Sequence, residues 1–109
     1  MNKYHAKKVL LYGETFDSRK EGERWLVLHY MEKNGEIRDL HRQVKFELVP
    51  AYPAEGLRAL TYIADFVYSQ DGKTVVEDVK GCTKGAVYEL FKAKKKMLYF
   101  RYGLLVTEV

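Results

Sequence analysis

Cysteine, proline and long apolar runs are all scarce in this chain of 109 residues. Its single cysteine, Cys82, rules out an intrachain disulfide and points to a reducing, intracellular setting. The two prolines, Pro50 and Pro53, fall in one short stretch and mark one loop. Near the N-terminus the longest uninterrupted apolar run is Val9 to Tyr12, too short for a signal peptide's apolar region or a membrane span. There is no internal repeat, low-complexity tract or linker. The expectation is one soluble, cytoplasmic domain over residues 1–109, with no membrane partner.

What is present is a core-forming composition, 47% hydrophobic and 14% aromatic, which excludes disorder. The formal net charge is only +4, but it is unevenly placed. Lys84, Lys92, Lys94, Lys95, Lys96 and Arg101 face a single acid, Glu89, and Lys3, Lys7 and Lys8 precede any acid. Acidic residues concentrate between Glu14 and Asp78. Basic ends around an acidic middle suit a polyanion whose phosphates meet a metal held by carboxylates; a solvated lysine-rich helix face accounts for the same lysines equally well.

Periodicity predicts a mixed α/β fold. Asp17 or Ser18 caps a helix over about 19–33, which Asn34-Gly35 ends. Leu40, Val44, Phe46 and Leu48 alternate with polar residues in a half-exposed strand. Residues 59–68 are apolar on both faces, as in a central strand, and Asp71-Gly72 turns the chain into a third strand over 74–80. A second helix over about 86–100 and a last strand over 104–108 complete the order αβββαβ. That order implies a mixed central sheet flanked by helices. Val9–Tyr12 and Thr15–Phe16 form a short extended stretch before the first helix. That helix carries Trp25, Leu26, Val27, Leu28, Tyr30 and Met31 around most of its circumference, more apolar surface than one small domain covers. Part of it, especially Val27, Tyr30 and Met31, is expected to face a second subunit.

Asp65 interrupts the apolar run Tyr62-Ile63-Ala64-Asp65-Phe66-Val67-Tyr68, where an unpaired carboxylate is costly to desolvate. On the next strand, Asp78 and Lys80 point one way and Glu77 the other, so Glu77 reads as a surface or salt-bridge residue. Two carboxylates and a lysine in this arrangement imply a divalent metal as the missing partner. Ion pairing of Asp65 and Asp78 with nearby Lys or Arg is the plainer alternative. His5, His29 and His41 show no metal-ligand spacing, and Cys82 has no histidine partner for nucleophilic chemistry.

Lys3-Tyr4-His5, Phe16-Asp17-Ser18-Arg19-Lys20-Glu21, Tyr62-Ile63-Ala64-Asp65-Phe66, Val76-Glu77-Asp78-Val79-Lys80-Gly81 and the lysine-rich helix before Tyr102-Gly103 carry a resemblance. With the element order, they resemble the PD-(D/E)XK nuclease superfamily, whose core is restriction-endonuclease-like. Within it the chain is similar to small phage-encoded endonuclease-like proteins, and more distantly to Holliday-junction resolvases. Ala64 departs from the pattern, standing where the superfamily's name places proline.

The resemblance implies a Mg²⁺-dependent endodeoxyribonuclease, with Mn²⁺ able to substitute, acting on branched or four-way DNA. It also implies the cytoplasm, that of the host if the chain is phage-encoded. Asp65 and Asp78 would be direct metal ligands, with the Val79 carbonyl a third and Glu21 completing the site directly or through water. Lys80 would orient or deprotonate the attacking water, or stabilise charge developing on phosphorus.

Glu21 reads a second way: Ser18-Arg19-Lys20-Glu21 also fits a capping box. Helical spacing puts Lys92, Lys95 and Lys96 on one stripe, facing phosphates or solvent, and Lys94 off it. The resemblance implies that a lysine of this helix lies near the metal site, and Lys94 is the candidate. Lys7 and Gln43 are further candidates for nucleic-acid contact, although a solvated glutamine would look the same. Tyr88, Tyr99 and Tyr102 could stack on unpaired bases or pack in the core. Resolution of a junction under two-fold symmetry would need a homodimer. The alternative function is a catalytically inactive nucleic-acid-binding protein of the same fold; a protein-interaction module is a third.

Overall fold

The computed structural model describes residues 8–109. Lys3, His5 and Lys7, named above, lie outside the described residues. A hairpin of β1 (Val9–Leu11) and β2 (Glu14–Phe16) precedes α1 (Arg19–Lys33). Ser18 begins the helix from an extended conformation, its hydroxyl accepting from the Glu21 amide at 3.1 Å, which satisfies one of the free N–H groups of the first turn. The hairpin lies so close to α1 that a Cβ on Gly22 would come within 2.7 Å of Leu11 and 2.9 Å of Phe16. Position 22 therefore admits only glycine without rearrangement.

The chain continues through β3 (Arg38–Val49), a 3₁₀ turn at Pro53–Glu55, β4 (Leu60–Gln70), β5 (Lys73–Asp78), α2 (Gly85–Tyr102) and β6 (Val106–Glu108). The sheet order is β3-β4-β5-β6. The first two pairings are antiparallel, and β5–β6 is parallel, with α2 as the crossover that a parallel pair requires. The protein is thus mixed α/β, with a mixed sheet and two helices. Among the described residues no helix is long and apolar enough to cross a membrane.

Two cores cover the two faces. Leu28 of α1, with Trp25 and Met31, packs on Ile37, Phe66, Tyr68 and Val75. Phe91 and Leu98 of α2 pack on Leu48, Tyr62, Ala64, Val76 and Val106. Adjacent Val75 and Val76 thus face opposite helices, as strand alternation requires. β4 is central and serves both cores, with Tyr62 and Ala64 towards α2 and Phe66 and Tyr68 towards α1. The hand-over falls at Asp65.

Three expectations need correction. β5 ends at Asp78, so Lys80 lies just past the strand; its amide still donates to the Val109 carbonyl at 3.0 Å, which prolongs the pairing with β6. Of the two readings of Glu77 the surface one fails, since the residue is 2% exposed on a face of β5 covered by α1, and the salt bridge holds. Its charge is matched by Arg24 through two bonds of 2.7 and 2.6 Å, and Tyr68 donates a third. Met31 is partly buried against the core beneath α1 and so offers less surface to an interface than Val27 and Tyr30, which are exposed.

Candidate metal and nucleic-acid site

Asp65 and Asp78 stand on neighbouring strands, one step beyond the Phe66–Glu77 pair, close enough for the two carboxyl groups to interact. Both oxygens of Asp65 are held, one by the Val79 amide at 2.8 Å and one by the Gln43 side chain at 3.1 Å. Gln43 does this from a left-handed backbone conformation, φ 52°. Asp78 accepts from the Tyr62 hydroxyl at 2.5 Å and lies 3.2 Å from the Lys80 ammonium. That ammonium also sits 3.4 Å above the Phe91 ring, a cation–π contact that fixes its position.

Burial pushes Asp65 up to about 6; the Val79 N–H opposes this and Glu21 adds to it. Asp78 is also pushed up to about 6, by burial first, with the Tyr62 bond and Lys80 opposing and the charge of Asp65 reinforcing. Tyr62 is driven well above its usual range by burial and then by Asp78, so it remains a protonated donor.

Glu21 does not close the capping box with its carboxylate. Its amide is capped by Ser18, but its carboxylate is 3% exposed and turned toward Asp65 and Arg42. The nearest cation, Arg42 Nη2, is 3.6 Å away, beyond a hydrogen bond, and Glu21 Oε1 has no partner among the described residues. Arg42 also bonds Glu14 at 3.1 Å and the Thr15 carbonyl at 2.8 Å, with the Phe16 ring 4.1 Å below, while its Nε has no hydrogen-bond partner among the described residues.

Three carboxylates, Glu21, Asp65 and Asp78, therefore face two cations, Arg42 and Lys80. Among the described residues no group of three or more His, Cys, Asp or Glu is placed to hold a metal ion. A hard cation that keeps several of its waters needs only one or two carboxylates. The all-oxygen donor set, the raised carboxyl pKa values and the unpaired Glu21 oxygen all fit such an ion.

Lys94 lines one cleft together with Asp78 and Lys80, apart from the other lysines of α2. Lys92, Lys95 and Lys96 lie along a separate groove with Tyr99 and Leu105. Lys92 is 2.9 Å from Glu89, and Lys95 is 2.8 Å from Glu108. Gln43 is exposed but bonded to Asp65. Tyr88 bonds Glu108 and Tyr102 bonds the Glu47 carbonyl, so both serve the fold.

Sequence reasoning missed Tyr62, Arg42 and Lys20, which donates to the Lys80 carbonyl at 2.8 Å. Arg42 left a trace: it occupies the apolar-face position between Leu40 and Val44, a break in the alternation of β3.

No curated protein and no solved structure matches the chain. One family model does, over residues 1–108: the chain belongs to the family described as protein of unknown function (DUF1064).

Proposed function

We propose that this protein is a metal-dependent DNA endonuclease with a PD-(D/E)XK-like site. The reading is supported by a mixed sheet with a helix on each face and the element order α1, β3, β4, β5, α2, β6 behind the β1–β2 hairpin. The observation that carries the reading is the carboxylate cluster of Glu21, Asp65 and Asp78. One Glu21 oxygen in it has no hydrogen bond among the described residues, and Lys80 is fixed at its edge. Simple binding of phosphate has no use for buried carboxylates, which repel it.

In this reading Asp65 and Asp78 hold Mg²⁺ or Mn²⁺, with the Val79 carbonyl and Glu21 as further oxygen donors. The bound ion would neutralise phosphate charge and lower the pKa of a water. The chain's own groups do the rest. The Val79 amide and Gln43 aim the Asp65 carboxylate. Tyr62 aims Asp78. The Lys80 ammonium, held over Phe91, meets the attacking water or the charge growing on phosphorus. Lys94, across the same cleft, pairs with a phosphate oxygen.

Nicking of supercoiled plasmid in Mg²⁺ or Mn²⁺, against a chelator control, tests this. Asp65→Asn, Asp78→Asn and Lys80→Ala should each slow cleavage by about 100-fold or more. The two carboxylate variants should bind DNA as tightly as wild type or tighter, since they remove negative charge beside phosphate. Cleavage by Asp78→Asn at the wild-type rate would refute the site. Comparing a four-way junction with linear duplex of the same sequence would establish whether branched DNA is preferred.

A second reading has its own support. The cluster is partly self-neutralised, Lys80 on Asp78 and Arg42 towards Glu21, with no ready metal cage among the described residues. A nucleic-acid-binding protein without catalysis would look like this. It predicts salt-sensitive DNA binding with no metal-dependent cleavage.

A further inference from the structure

The carboxylate cluster does not account for the cleft beside it. This cleft, of about 300 Å³, opens next to Asp78 and Lys80 between β4 and α2. Its floor is aromatic, Tyr62 and Phe91, and Ile63 of β4, beside Thr61, and Val87 and Leu90 of α2 also line it. Ile63, Val87 and Leu90 are 49%, 79% and 53% exposed. Exposed aliphatic residues scattered singly need no explanation, but three facing one cleft do. Lys94 reaches the same cleft, so a cationic pair, Lys80 and Lys94, borders an apolar wall.

A phosphate has no affinity for such a wall, and paired DNA has little to offer it, because stacked bases turn their faces inward. A nucleotide whose base has left the stack presents both parts at once, an anionic phosphate and a flat apolar base. The cleft has room for one base with its sugar but not for a helix.

We infer that this cleft binds a single unpaired nucleobase next to the phosphate held at Lys80 and Lys94. The substrate class is therefore DNA with an unpaired nucleotide rather than continuous duplex. The inference rests on the nucleic-acid reading above and deepens it. Ile63, Val87 and Leu90 supply apolar contact to the base faces, and the lysines supply the charge.

The test is binding, measured without cleavage. Wild-type protein in chelator is titrated into a fluorescently labelled duplex containing one unpaired 2-aminopurine, and into the same duplex with that base paired. The unpaired duplex should bind roughly tenfold tighter or more, as burial of a single base provides, and its 2-aminopurine emission should change on binding. Val87→Ser combined with Leu90→Ser alters only exposed side chains and should leave the melting temperature unchanged. It should abolish the preference while leaving affinity for the paired duplex as it was. Equal affinity of wild type for the two duplexes, or a preference that survives in the double variant, would overturn the inference. Failure of plasmid cleavage would leave this result standing, and cleavage without the preference would remove the cleft alone.

Discussion

At the scale of single residues, Asp65 and Asp78 matter most, and their protonation gives them a stability signature. Both are held at about 6, above the ordinary carboxyl value of about 3.9, so the folded chain binds these protons more tightly than the unfolded chain. Their contribution to stability is fully present below about pH 4 and is lost as pH rises through about 6. Asp78→Asn, which keeps an oxygen to accept from Tyr62, should therefore melt higher than wild type at pH 7.5. The gap should close towards pH 4, as thermal melts across that range would show. The same protons compete with a cation, so the rise in wild-type melting temperature on adding Mn²⁺ should shrink between pH 7.5 and pH 5. A metal effect independent of pH would place the ion elsewhere.

Legibility at this scale was uneven. Asp65 announced itself as a charge among apolar neighbours, and Asp78 and Lys80 by their alternate spacing. Tyr62 did not, because a tyrosine in an apolar strand is unremarkable until the register shows what its hydroxyl reaches. Arg42 was readable only as a gap in a pattern, and its aim at Glu21 depends on how α1 lies against β3.

Among the elements, the tie between α1 and β5 sets the site's geometry. Arg24 lies one helical turn beyond Glu21, and Glu77 is next to Asp78, so the Arg24–Glu77–Tyr68 contact fixes the helix that bears one acid against the strand that bears another. Burial, with the Glu77 bond adding, pushes the Tyr68 hydroxyl up to about 12, so it donates throughout the working pH range. Arg24→Ala would leave Glu77 buried with Tyr68 alone and should cost about 3 kcal/mol, the lower end for breaking a buried pair because Arg24 is partly exposed. Urea denaturation would measure it. A cost under about 0.5 kcal/mol would mean the pair behaves as a surface ion pair. The two helices and the strands of the sheet were legible from periodicity and caps, with ends moved by a residue or two. The burial of Glu77 was not, since nothing local to β5 says which helix will cover which face.

For the whole molecule, the open question in the sequence was how α1 disposes of its apolar surface. Trp25, Leu28 and Met31 pack against the sheet, while Val27 and Tyr30 stay 49% and 55% exposed. Leu10 and Tyr12 of the neighbouring hairpin are 72% and 51% exposed. If the protein pairs two active sites on a junction, this is the surface on which the copies should meet. Wild type should then sediment as a dimer at micromolar concentration, and Val27→Asp with Tyr30→Asp as a monomer. A wild-type monomer that still cuts opposed strands symmetrically would end that view. The parallel closure of β6 on β5 through α2 is what carries Lys94 to Asp78 and Lys80, so the cleft belongs to the topology as a whole.

The left-handed backbone of Gln43 has one further consequence. A non-glycine residue in that conformation costs of order 1 kcal/mol, and here it lies inside a strand, where an extended backbone is the default. The chain gives up that stability at the position whose amide aims Asp65. Asparagine adopts the conformation more readily, but it is one methylene too short to keep the same reach. Selection for heat resistance would thus be drawn to position 43 and would gain robustness there by loosening the carboxylate.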